Sequence, residues 1–163
     1  MHRRAAAGLT LAALLWVCVL VASPIAISRS TLTLPATLVY AASSRICHQR
    51  PERSFHLAGV QLPVCARCFG LYLSGAIGAA VVWGSRRRAG NGARAALAMA
   101  ALPTAVTWGL EVAGVAGFSN MTRAVAAVPL GIAAGWLLAQ VLRYDFQLNG
   151  HEIHDGGASV RYR

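Results

Sequence analysis

Apolar residues fall in long blocks separated by short polar breaks. Residues 5–27, 63–84, 95–117 and 124–142 are apolar runs, each near the ~20 residues that a helix needs to cross a bilayer. A further run, residues 32–42, is too short to span and contains Pro35, so it reads as an interfacial or re-entrant segment. The pattern predicts an all-α fold: a polytopic transmembrane helical bundle with four spans and a short interfacial segment. The bundle would occupy residues 1–142, with a polar outer loop at 43–62 and a polar, flexible tail at 143–163.

The first run is longer than the 7–15-residue apolar core of a secretory signal, and it continues past Ser23-Pro24. It therefore reads as a retained helix. Val21-Ala22-Ser23 would serve as a cleavage motif, which leaves a removed leader as the alternative.

Small residues recur at helix-contact spacing. Gly70, Ser74 and Gly78 share one face of the second span, and Gly131 and Gly135 form a GxxxG in the fourth. Such faces let helix backbones approach closely.

Composition agrees with a membrane chain. Of 163 residues, 56% are hydrophobic and 12% are charged, against about 25% charged in soluble domains. The net charge of +10 is carried by Arg alone. These Arg residues flank apolar runs, where they orient helices and meet anionic headgroups, so we set nucleic acid aside as a partner. An Ala/Gly-rich chain with Arg in place of Lys is also the habit of GC-rich bacterial genomes, which suggests the plasma (inner) membrane of a bacterium.

With four spans both termini lie on one side. That side carries Arg3, Arg4, Arg86, Arg87, Arg88, Arg94, Arg143, Arg161 and Arg163; the other carries Arg29, Arg45, Arg50, Arg53, Arg67 and Arg123. The positive-inside preference then makes both termini cytoplasmic and turns the 43–62 loop outward.

Chemistry concentrates in that loop and the start of the second span. Cys47-His48-Gln49 is followed by Arg53-Ser54-Phe55-His56 and by Pro63-Val64-Cys65-Ala66-Arg67-Cys68. Pro63 suits the first turn of a helix, which would put Cys65 and Cys68 in the opening turn with both sulfurs on one face. A helix N-terminus and Arg67 both favour thiolate.

Three uses of such thiolates stay open. Cys47, Cys65 and Cys68 with His48, or with His56 as the rival ligand, would make a Cys₃His metal site of the kind zinc occupies. Cys65 and Cys68, with Cys47 as a third thiol, would also suit thiol–disulfide exchange. A plain disulfide stapling loop to helix is the third. Cys18 lies inside an apolar run and reads as a small packing residue.

Arg53, Arg67 and Arg123 are further polar candidates, as contacts for lipid phosphates or an anionic substrate. Glu111 is the sole carboxylate inside an apolar run, about 9 Å from the run's outer end. A carboxylate there needs a cation; Arg123 is the first choice and Arg67 the second. His151-Glu152-Ile153-His154-Asp155 resembles a metal cluster, but its Gly-rich polar setting reads as a solvated tail.

The motifs Cys47-His48-Gln49, Arg53-Ser54-Phe55 and Pro63-Val64-Cys65-Ala66-Arg67-Cys68-Phe69-Gly70-Leu71-Tyr72, with Ser119-Asn120 and Arg123, resemble a family of small predicted membrane proteins of bacteria and archaea. That family is classed as a domain of unknown function. The resemblance runs over roughly residues 40–140 and implies a shared fold and site, without an activity. Family members often carry Asp-Gly in the third helix; here Trp108-Gly109 stands there, with Glu111 nearby.

A looser topological similarity links the chain to quinone-linked disulfide-forming enzymes of the bacterial inner membrane, which also have four helices and a CxxC at the outer start of the second. The turn at residues 117–123 lacks their second Cys pair.

The leading expectation is an extracytoplasmic zinc site of unknown biological role. The alternatives are a membrane thiol oxidoreductase, with quinone as its cofactor, and a non-catalytic subunit of a membrane complex, as a homo- or hetero-oligomer.

Overall fold

The computed structural model describes residues 2–30, 32–85 and 92–155, with side chains described at 3–30, 32–85 and 92–143. The basic stretch Arg86-Arg87-Arg88 lies outside the described residues.

The chain is helical apart from one small hairpin. Helix α1 spans His2–Ser28 and α2 spans Thr33–Ser43. A 3₁₀ turn covers Pro51–Arg53, and β1 (His56–Leu57) pairs antiparallel with β2 (Val60–Gln61). Helix α3 spans Ala66–Val81, α4 Ala93–Val112 and α5 Asn120–Asp155.

Among the described residues three helices are long and apolar enough to cross a membrane: α1 from Arg3, α4, and α5 as far as Arg143. The second apolar run yields a shorter helix than expected. Its 16 residues measure about 24 Å at 1.5 Å per residue, less than a bilayer's ~30 Å core. Pro63 does not open it. Leu62, Pro63 and Val64 are buried ahead of the helix, where the chain bends at Pro63 and Val64, and Cys65 takes the N-cap position with φ −68° and ψ 161°.

What α3 lacks in length it recovers in packing. Gly70, Ser74 and Gly78 lie against α5, and a Cβ added at Gly70 or Gly78 would run into the backbone of Ala124 or Ile132. From the other side, a Cβ at Gly131 would strike Ser74 Oγ, and one at Gly135 the Gly75 carbonyl. The small-residue faces read from the sequence are thus one seam between α3 and α5, with the backbones in near contact.

By contrast α4 has no buried residue, and Met99, Leu102, Val106 and Val112 stand exposed along it. Such a surface suits lipid and not water.

Pro35 does not break α2. It sits in the first turn, where no intrahelical partner for its missing N–H exists. The sharp bend between α1 and α2 comes from Ser30 and Leu32, both at positive φ (54° and 48°). Past Leu142 the chain continues as helix to Asp155. The His151–Asp155 side chains lie outside those described.

The two ends of the bundle differ. At one end Trp83 Nε1 donates to Thr10 Oγ1 at 3.2 Å, and Arg143 donates to the Val82 carbonyl at 2.7 Å while its guanidinium lies 5.3 Å above the Trp83 ring. At the other end α2, the polar loop, the start of α3, the end of α4 and the start of α5 converge. That end holds Cys47, Cys65 and Cys68.

Candidate metal centre

Helix ends and turns position every polar group of this site. Helix α4 stops immediately after Glu111. Gly114 adopts φ +69°, Val115 N–H bonds back to the Leu110 carbonyl at 3.0 Å, and Gly114 N–H bonds to the Glu111 carbonyl at 3.2 Å. This left-handed glycine stop closes the helix and frees the chain to turn. Glu111 is therefore in the last turn of α4, and not about 9 Å inside the run as its position in the sequence suggested.

The next helix begins with Ser119, whose Oγ accepts from Thr122 N–H at 3.1 Å, an N-cap contact. One turn on, Arg123 points back to Glu111.

The Glu111 side chain is 3% exposed and meets two guanidinium groups. Arg123 Nε lies 2.6 Å from Oε1, and Arg67 Nη2 lies 3.1 Å from Oε2. Both cations considered for this carboxylate hold it together, so α3, α4 and α5 share one ionic node. Arg123 also donates to Asn120 Oδ1 at 2.8 Å, and Asn120 Nδ2 donates to the Ser54 carbonyl at 3.0 Å. Asn120 thereby fastens the loop to α5.

The loop itself is held by amide side chains. Gln49, at positive φ, donates from Nε2 to the Tyr40 carbonyl at 2.8 Å and the Pro63 carbonyl at 2.7 Å. Gln61 Nε2 donates to the Gln49 carbonyl at 2.6 Å and to Ser54 Oγ at 3.2 Å, and the Tyr40 hydroxyl donates to the Gln61 carbonyl. Nothing in composition or periodicity marks Gln49, Gln61 or Tyr40; only the place of Gln49 in a Cys-His-Gln triplet hinted at a role.

The hairpin turn Ala58-Gly59 has both residues at positive φ (53° and 75°), the two-residue turn that matches strand twist. It carries His56 outward on an exposed strand.

Three sulfurs meet where these elements converge. The Sγ atoms of Cys47, Cys65 and Cys68 lie within 4.8 Å of one another, and all three are free thiols. Cys47 Sγ accepts from the Cys65 backbone N–H at 3.1 Å. The thiols rest on an apolar floor, with buried Cys47 packed among Leu20 and Val64 and bordered by Trp16, Phe69 and Tyr72.

The Cys65 thiol is lowered to about 5 by its hydrogen bond with the Cys68 thiol, helped by amides at the helix start and by Cys47, against the opposing effect of burial. The N-cap position accounts for the amide part, because it sets the sulfur beside the opening turn and the positive end of the helix dipole.

Four-coordinate zinc with sulfurs at 2.3 Å needs sulfur pairs about 3.8 Å apart. The cluster meets that with a contraction of about 1 Å or less, and its donor chemistry suits a thiophilic ion. The cysteines thus form a cluster that could bind a metal.

No histidine joins the cluster at the same range among the described residues. His48 lines the cavity in front of the sulfurs; His56 does not. Cys18 is exposed on α1, apart from the other three.

That cavity encloses about 470 Å³. Its wall takes in the three cysteines, His48, Arg50, Arg53, Arg67, Trp108, Glu111 and Arg123. Cys47, His48, Arg53, Cys65, Arg67, Cys68, Glu111 and Arg123, all candidates from the sequence, therefore border one space, and His56 does not.

An uncharacterized protein of Methanocaldococcus jannaschii is 52% identical over 40 residues, covering 24% of this chain and 26% of its own length. Another, from Methanothermobacter thermautotrophicus, is 57% identical over 28 residues, 17% of this chain and 25% of that protein. The chain thus matches about a quarter of each relative's length. No solved structure matches it. Residues 47–137, from the first cysteine of the cluster into α5, match the family model described as Predicted membrane protein (DUF2085), and the chain belongs to that family.

Proposed function

We propose that this protein binds a single zinc ion through Cys47, Cys65 and Cys68, with His48 completing the set, on the extracytoplasmic face of a bacterial inner membrane. The observation that carries the reading is the convergence of three free sulfurs within 4.8 Å, drawn from the loop and the start of α3. Three thiolates select a thiophilic ion, and a site with three protein ligands leaves a fourth position for imidazole, water or substrate. His48 is favoured over His56 because it borders the same cavity while His56 faces away on β1. The side of the membrane rests on the distribution of Arg.

The test is metal analysis of the purified full chain by mass spectrometry. One zinc per chain, lost in Cys65→Ser, supports the reading. Metal-free protein carrying a Cys65–Cys68 disulfide overturns it. Reporters fused at Arg88 and near Gln49 test the orientation; a cytoplasmic signal at Gln49 reverses it.

One observation favours a second reading. The lowered Cys65 thiol, hydrogen-bonded to Cys68, is what thiol–disulfide exchange requires of an attacking sulfur. Mixed disulfides trapped by Cys68→Ala, with quinone-dependent reoxidation of the native protein, would favour that reading over zinc. A stable co-purifying partner, with function surviving loss of the cysteines, would favour a structural subunit.

A further inference from the structure

The cavity has more positive charge than its own carboxylates balance. Arg50 and Arg53 come from the 3₁₀ turn, Arg67 from α3 and Arg123 from α5, and all four line it. Glu111 serves Arg67 and Arg123 together. Glu52 reaches Arg50 only at 4.0 Å, both side chains being mostly exposed. Arg53 is half-buried and makes no ion pair or side-chain hydrogen bond among the described residues. Arg67 Nε is buried with no hydrogen-bond partner. Buried guanidinium N–H groups are ordinarily satisfied, and this one, on a residue of the cavity wall, is not.

We propose that this cavity binds a phosphate group, free or carried on a small molecule or lipid headgroup. Guanidinium forks from three separate elements surround the space, and an anion with three or four oxygens can meet several forks at once. A carboxylate, with two oxygens and a single charge, meets at most two guanidinium groups, as Glu111 does, and leaves the others unanswered. A volume of about 470 Å³ lies in the range of small-molecule sites and exceeds what a bare ion fills. The bound phosphate would lie beside the three sulfurs, since they share its wall. The site rests on the arginines and the cavity, and it holds whether the thiols carry a metal or not.

The experiment is thermal unfolding of the full chain in maltoside micelles, titrated with inorganic phosphate and, separately, with acetate at matched ionic strength. In parallel the chain is melted in nanodiscs of phosphatidylcholine with and without phosphatidic acid, whose headgroup is a phosphate monoester. A saturable rise in Tm with phosphate and none with acetate assigns a soluble ligand. A rise confined to phosphatidic acid assigns a lipid headgroup.

Arg53→Gln should weaken the response about tenfold, the loss of one charged hydrogen-bonding group, and Arg50→Gln should weaken it as well. Arg29→Gln, exposed outside the cavity, should leave it unchanged. Should Arg53→Gln fail to fold, Arg50→Gln carries the test alone. No rise with either phosphate source, an equal rise with acetate, or a response indifferent to both Arg50 and Arg53 overturns the proposal. Metal content is read on the same samples, so loss of zinc is not mistaken for loss of phosphate binding.

Discussion

Replacing Glu111 by Gln tests the ionic node that ties three helices together. The substitution keeps the shape of the side chain and removes its charge. Arg67 and Arg123, with side chains 18% and 12% exposed, would then lie near each other without a counterion. Breaking a buried pair by removing one partner costs about 3–5 kcal/mol, because the remaining charge stays desolvated. Two cations depend on this carboxylate, at 3.1 and 2.6 Å, so the upper part of that range is expected. The exposed Arg50–Glu52 pair is the internal reference: at 4.0 Å and 60%/64% exposure it should contribute below about 1 kcal/mol.

The assay is reversible unfolding in mixed micelles with increasing SDS, followed by Trp fluorescence. It is applied to Glu111→Gln, Glu52→Gln, Arg123→Gln and the double variant Glu111→Gln/Arg123→Gln. The double variant should be less destabilised than the sum of its parts, since only Arg67 is then left unpaired. A Glu111→Gln loss no larger than that of Glu52→Gln, or strict additivity in the double variant, refutes the claim that the node holds the helices.

Further outcomes follow from other contacts. Gly78→Val puts a side chain into the Ile132 backbone and should destabilise the bundle by about 1–3 kcal/mol or more, read in the same SDS titration; Gly109→Val, with open space around it, serves as the control. Gln49→Ala removes the donor shared by the Tyr40 and Pro63 carbonyls, a loss of about 1–3 kcal/mol that should appear as a lower Tm together with weaker metal retention against a chelator. In metal-stripped protein the Cys65 thiol, lowered to about 5 against an ordinary 9.0, should alkylate with iodoacetamide as a thiolate at pH 6. Because its folded value is depressed, the thiolate contributes stability fully above pH 9, and that contribution fades as pH falls from 9 toward 5; a Tm of stripped protein independent of pH across that window would contradict the assignment.

The apolar blocks were legible because a bilayer leaves backbone groups no partner but one another, so a span must be one long helix. Glu111 was legible for a related reason: a carboxylate in an apolar run needs a cation, and few were near. Gln49 was not, because its acceptors are two main-chain carbonyls that become neighbours only once the loop is folded. The start of α3 misled for a different reason. Pro63 is compatible with a first turn, but burial of Val64 beside Leu20 and Cys47 delays the helix to Ala66, and tertiary packing outweighs that local preference. The delay also shapes the site. Had the helix opened at Pro63, Cys65 would lie inside it; as the N-cap it offers its amide to Cys47 Sγ at 3.1 Å and sets its sulfur beside the opening turn. Spacing alone allowed His48 and His56 equally, and the Ala58-Gly59 turn separates them by sending His56 outward. A hairpin of two-residue strands thus sets which imidazole faces the cavity. If His48 is the fourth ligand, His48→Ala should weaken zinc retention against a chelator while His56→Ala leaves it unchanged; the reverse result assigns His56.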